Sequence, residues 1–245
     1  MSSVTYQSRD GIAEITINRP EKYNVIDHSV VDGLNQAWRR FSAEDDKVAI
    51  LAANGDRAFS AGANLKDIPH DFWRAVPSVG VPVDKPIIAA THGLVVGGAL
   101  VLVQFADLAI AADDTVFSYP EAKVGYSGGL IASLAARIPH KIAMELLLVG
   151  GSIDAHRAYE VGLVNRVVPA GDQLAVAREF ATQIAANAPL VVKLMKDFVG
   201  ATLPKGPSEA AAITRATVEA VNTADDYREG IAAFLGKRAP VFSGR

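Results

Sequence analysis

The chain has 245 residues, half of them hydrophobic, enough for a sizeable core in one large domain or a core with an appendage. Its 24 basic and 27 acidic residues give a net charge of −3 with no long run of either sign, so nucleic-acid binding has no electrostatic footprint. The absence of cysteine excludes disulfides, thiol nucleophiles and thiolate-ligated metals, and fits a reducing, cytoplasmic setting.

Met1 to Tyr6 is polar, with no basic residue before Arg9, and has neither a signal core nor an arginine-rich transit pattern. Val4 to Tyr6 and Ile12 to Ile17 are β-type runs joined by Arg9-Asp10-Gly11, a hairpin signal. Asp27 is the expected N-cap of an amphipathic helix reaching about Phe41, with Val30, Val31, Leu34, Ala37, Trp38 and Phe41 at helical spacing. Val48 to Leu51 reads as a buried strand leading to the turn Ser60-Ala61-Gly62-Ala63-Asn64. Ile87 to Ala90 does the same before Gly93-Leu94-Val95-Val96-Gly97-Gly98, and Leu108 to Ile110 follows.

The apolar stretch Ile87 to Ala112 is long enough to cross a bilayer, but it contains His92, Gln104 and Asp107 and clusters its glycines. Strand, turn, helix and second strand explain it better, so no membrane partner is expected. Three strand ends look alike, at Ile50 to Ala53, Ile87 to Ala90 and Ala109 to Ala112, which suggests stacked β-rich units at unequal separations. After Gly128 the pattern is helical. Asp154 caps a short helix ending near Gly162, Leu163 to Val168 is a brief strand closed by Pro169, and helices follow from Asp172. The expected division is a core over 1–190 and a helical region over 191–245.

The two glycine turns carry the chemistry. Each follows an apolar run and each is expected to open a helix, where backbone N–H groups lack intrahelical partners. Facing one another, they would make a two-donor cradle for a carbonyl oxygen that becomes negative during reaction. Gly97 and Gly98 also suit tight helix–strand packing, and spacing alone does not separate the two readings.

Six stretches stand in order along the chain: Asn18-Arg19-Pro20-Glu21-Lys22, Ala58 to Lys66, Lys85-Pro86 through Asp107, Phe117 to Ala122, Gly162 to Val168, and Glu229-Gly230 through Arg245. Together they resemble the crotonase superfamily, the enoyl-CoA hydratase/isomerase fold. The resemblance implies an α/β fold, a crotonase-like spiral of ββα units with a C-terminal helical trimerisation region. It further implies a homotrimer or a dimer of trimers acting on an acyl-CoA thioester, with no metal and no cofactor beyond the coenzyme A of the substrate. By that likeness the oxyanion donors are the N–H groups of Ala63 and Gly98, and coenzyme A contacts fall at Lys22, Ala61, Lys66 and, from a neighbouring subunit, Lys237. Asn64 stands where the family commonly has aspartate and is expected to cap a following helix with Asp67.

Typical hydratases of the superfamily use two glutamates. The first position is Val101 here, which can neither take nor give a proton; the second is Glu121. One carboxylate suffices to move a double bond from the 3- to the 2-position, so isomerisation leads. Single-glutamate hydration, thioester hydrolysis and non-catalytic acyl-CoA binding are the alternatives. Ser118-Tyr119-Pro120-Glu121 also matches a capping box, a structural use for the same glutamate. Gly125-Tyr126-Ser127-Gly128-Gly129 matches the nucleophile elbow G-x-S-x-G, which requires a preceding strand and a later acid and histidine. His92 precedes a glycine turn and reads as a hydrogen-bonding residue. The stretch from Asn64 to Lys85, expected by the resemblance to line the acyl site, is short.

Overall fold

The computed structural model describes residues 2–245; Met1, the first residue of the polar N-terminal stretch, lies outside the described residues. β1 (Val4–Arg9) and β2 (Ile12–Ile17) form an antiparallel hairpin. Asp10 and Gly11 both take left-handed φ, 54° and 76°, as a two-residue hairpin turn requires. α1 (His28–Ala43) then crosses to β3 (Val48–Ala53), which pairs parallel with β2. Asp27 caps α1, its Oδ1 accepting from Val30 N at 3.2 Å, and the apolar positions read from the sequence are the face this helix buries.

The middle of the chain repeats one move three times. β3 is followed by β4 (Ala58–Ser60), β5 (Ile87–Thr91) by β6 (Leu94–Val96), and β7 (Leu108–Ala112) by β8 (Val116–Ser118), with α2 (Gly98–Gln104) between β6 and β7. The first strand of each pair enters a six-stranded sheet of order β1-β2-β3-β5-β7-β10, the second a four-stranded sheet of order β4-β6-β8-β9. The three similar strand ends are therefore adjacent parallel rungs, with Leu51 beside Ala89 and Ala89 beside Ala109. α3 (Glu121–Val124), α4 (His140–Glu145), β9 (Ser152–Asp154), α5 (Ala155–Glu160) and β10 (Arg166–Val168) complete the spiral. Asp154 caps α5 as expected, Oδ1 accepting from Arg157 N at 2.7 Å.

Strand alternation divides the six-stranded sheet between two apolar layers. Ala49 and Leu51 face the main core with Trp38 and Phe41, while Val48, Ile50, Ile88 and Ile110 pack under Ala177 and Ala181 of α6 (Gln173–Ala185). Burial on both faces is why these strands read as continuous apolar runs. α7 (Pro189–Thr202), α8 (Pro207–Asn222) and α9 (Asp225–Leu235) follow. α7 buries no residue of its own and exposes Leu190, Leu194, Met195 and Phe198, and α9 leaves Phe234 and Leu235 exposed.

Two expectations are corrected. The turn at Ser60–Asn64 opens no helix: Asn64–Asp67 is a single turn, and the next helical residues are the short 3₁₀ turn Phe72–Ala75. Pro69 disfavours helical backbone at Ile68, and no apolar face recurs across this segment. Asn64 Oδ1 instead accepts from Lys66 N at 3.2 Å, closing the turn locally. The second sheet, whose strands have three residues each, has no periodic signature of its own.

The Phe72–Ala75 turn is pinned to α1: Trp38 Nε1 donates to Ala75 O and Asn35 Nδ2 to Arg74 O, each at 2.8 Å. Trp38 is fully buried. Trp38→Phe keeps an aromatic ring but leaves Ala75 O unpaired, so it is expected to destabilise the fold by about 1–3 kcal/mol, read by urea denaturation.

Candidate active site

β4 ends at Ser60, whose Oγ accepts from Gly62 N at 3.1 Å. Gly62 takes a left-handed φ of 85°, and a Cβ there would lie 2.7 Å from Val96 O. Ile26 N donates to Gly62 O and Asn64 N to Ile26 O, both at 2.8 Å, so the Ala63 N–H between them points away from Ile26. It has no hydrogen-bond acceptor among the described residues. The Gly98 N–H also lacks one: as the first residue of α2 it precedes the intrahelical ladder. The two donors named from the sequence are thus both unpaired.

Gly97 sets the third element. Its backbone (φ 57°, ψ −113°) is one that side chains rarely allow, and a Cβ there would lie 2.4 Å from Glu121 Oε1. Glu121 reaches this place because β8 stops at Ser118 and Tyr119-Pro120 turns the chain into α3, of which Glu121 is the first residue. Ser118 lies in the strand and Pro120 is the N-cap, without a side-chain cap, so the capping-box reading of Glu121 is overturned. Glu121 Oε2 is buried with no hydrogen-bond partner. Burial pushes its carboxyl up to about 7, unopposed by any cation.

Ala61, Ala63, Gly98 and Glu121 line one cavity of about 160 Å³, and Val101 lines it as well. The position read from the resemblance as that of a first glutamate therefore faces the site as an alkyl group. The cavity also takes in residues that sequence reasoning missed: His70, Phe72, Trp73 and Tyr119. The aromatic content of the short 64–85 stretch was the available signal. Tyr126, a candidate from the sequence, lines the cavity too, its ring edge-on to His70 at 6.2 Å. Tyr119 Oη and Ser127 Oγ share a hydrogen bond at 3.3 Å, and burial pushes the Tyr119 phenol up to about 12.

Lys22 ends a one-turn 3₁₀ segment beside the first glycine turn, since Ala61 N donates to Tyr23 O at 2.9 Å. Lys66 is exposed in the Asn64–Asp67 turn, on a shallow depression that shares Leu65 and His70 with the cavity. Lys237, past α9, lines neither, so nothing within the single chain brings it to the site. Ser127 is preceded by α3 rather than a strand, which removes the nucleophile-elbow reading. His92 is buried outside the cavity, and burial lowers its pKa. A larger cleft of about 910 Å³ beside α7 holds none of the expected site residues, and its Lys196 is paired with Asp107 at 2.8 Å. Among the described residues no group of three His, Cys, Asp or Glu is placed to hold a metal, and no helix is long and apolar enough to cross a membrane.

The enoyl-CoA hydratase/isomerase family profile matches residues 7–245. A probable enoyl-CoA hydratase of Mycobacterium bovis is 34% identical over 242 residues, covering 94% of each chain. A carnitinyl-CoA dehydratase of Salmonella typhi is 34% identical over 263 aligned positions, covering 100% of both. Among solved structures, a carnitinyl-CoA hydratase from Mycobacterium avium aligns over 100% of both chains with a TM-score of 0.78 at 31% identity. The chain belongs to the enoyl-CoA hydratase/isomerase family. It is accordingly an acyl-CoA enzyme of crotonase fold, as the ordered motifs implied.

In this family member the raised Glu121 pKa has a stability consequence. The folded value, about 7, lies above the ordinary 4.5, so between those limits the folded state holds a proton that the unfolded chain has lost. Stability from this group therefore falls as pH rises from 4.5 to 7. Glu121→Gln is expected to raise the melting temperature relative to wild type at pH 8, with the gap closing near pH 4.5, read by thermal denaturation across that range.

Proposed function

We propose that the protein adds water across, or eliminates it from, the C2–C3 bond of an acyl-CoA thioester, using a single glutamate. The observation that carries this reading is the Glu121 carboxyl, its Oε2 buried without a partner and its pKa raised to about 7, in one cavity with two unpaired backbone donors. The sequence put a double-bond shift first. Relatives named as hydratases and dehydratases favour water chemistry instead.

The thioester oxygen binds the N–H groups of Ala63 and Gly98. As water oxygen bonds to C3, Glu121 takes the water proton, and the C2–C3 electron pair moves into an enolate whose oxygen the two donors hold. Glu121 then returns the proton to C2, which restores the carboxylate and leaves one water added. Dehydration is the reverse. Each donor is worth about 2.7–4 kcal/mol to such a transition state. A carboxyl titrating near 7 serves both as acceptor and as donor at neutral pH.

Val101 supports a second reading. With no other carboxylate lining the cavity, Glu121 alone can take a proton from C2 of a 3-enoyl thioester and return one to C4. In either reaction Lys22 and Lys66 meet the coenzyme A phosphates and the Ala61 backbone borders the nucleotide. Lys237 reaches the site from a neighbouring copy in a cytoplasmic homotrimer, or dimer of trimers, packed through the exposed apolar residues of α7 and α9.

Mass spectrometry of 2-enoyl and 3-enoyl thioesters in heavy water separates these outcomes. Net gain of water by the 2-enoyl substrate is expected, falling about 10²–10⁴-fold in Glu121→Gln. Deuterium uptake with double-bond migration and no water gain would replace this reading by the isomerase. Light scattering is expected to give three, or twice three, times the 25.8 kDa chain mass.

A further inference from the structure

We infer that Phe72 restricts this enzyme to short acyl groups, no larger than a chain of about six non-hydrogen atoms. The inference rests on the acyl-CoA reading above and specifies its substrate class. The cavity holding Glu121 and the two donors measures about 160 Å³. Sites for drug-sized ligands run to about 300–1,000 Å³, whereas an apolar void of about 150 Å³ holds one benzene ring. The available space matches a butanoyl or crotonoyl group and is filled by a hexanoyl one.

One wall of the space is the short segment between the two glycine turns. A Cβ built at Gly98 would lie 3.3 Å from Phe72 Cζ and 3.5 Å from both Cε atoms, so the tip of this ring stands against the backbone that carries one oxyanion donor. Trp73 beside it is buried and lines the same cavity. Neither residue sits on a free loop. Arg74, next in sequence, is tied through its carbonyl to Asn35 Nδ2 at 2.8 Å, and through Nη1 to Asp32 and Asp71 at 2.9 and 3.0 Å. Trp38 holds Ala75. A longer acyl chain must therefore displace an anchored aromatic wall, and close-packed walls resist the insertion of even single methylenes.

The test compares butanoyl-, hexanoyl-, octanoyl- and decanoyl-CoA in binding by calorimetry, and the matching 2-enoyl thioesters in turnover, for wild type, Phe72→Ala and Phe72→Leu. Wild type is expected to lose about tenfold or more in kcat/KM and in affinity between the hexanoyl and octanoyl lengths. Phe72→Ala is expected to recover most of that loss, with Phe72→Leu, the gentler change, recovering part. Equal binding of butanoyl- and decanoyl-CoA by wild type, or an unchanged length profile in both folded variants, overturns the inference. Absence of turnover at every length would count against the proposed reaction alone, because the binding series still decides where the length limit lies.

Discussion

The proximity of Gly97 and Glu121 is the constraint on which the site depends. A carboxylate oxygen lies where any residue other than glycine would place its first side-chain carbon, 2.4 Å from that point. The left-handed Gly97 backbone ends β6 and starts α2 in a single residue, and this leaves the Gly98 N–H outside the helical ladder. One conformational requirement thus both exposes a donor and admits the acid beside it. A buried carboxyl oxygen without a partner, as Glu121 Oε2 is, is otherwise unfavourable by roughly 1–3 kcal/mol. Carboxyls held in that state cluster at functional sites.

The parallel stack supplies the positional accuracy. β3, β5 and β7 are rungs of one sheet, and each feeds a short strand of a second sheet, so the chain emerges at nearly equivalent points in successive turns. The first glycine turn leaves β4, Gly97-Gly98 leaves β6 and Glu121 follows β8, three neighbours in the four-stranded sheet. Residues 63, 98 and 121 thereby meet in one cavity from three separate passes of the chain. The two cradle halves differ in kind. Gly98 owes its free N–H to a helix start, but Ala63 owes its own to the direction imposed by the Ile26 bridge, with no helix behind it.

That difference weakens the role of helix dipoles here and strengthens that of peptide orientation. It also explains why the segment after Asn64 is free to become a wall: released from helix formation, it runs through Pro69 to an aromatic turn anchored on α1. The same α1 buries Trp38 and Phe41 in the main core, so the position of the wall and the stability of the core share side chains.

Local chemistry was legible in the sequence wherever a residue type forces one conformation. The Asp10-Gly11 hairpin, the Asp27 and Asp154 caps, the doubly buried strands and the helix start at Gly98 all followed from backbone requirements or apolar period. The ordered motifs were legible as a family resemblance, and it was that resemblance that pointed to Ala63, Gly98 and Glu121. Three-residue strands carry too little pattern to announce a second sheet, and Ser118–Glu121 satisfied a capping pattern that only the strand at Ser118 removes. The approach of Glu121 to Gly97, the unpartnered Glu121 Oε2 and the approach of the Phe72 ring to Gly98 were decided by the tertiary structure alone. They are distances between segments far apart in the chain, and local propensity carries no information about them.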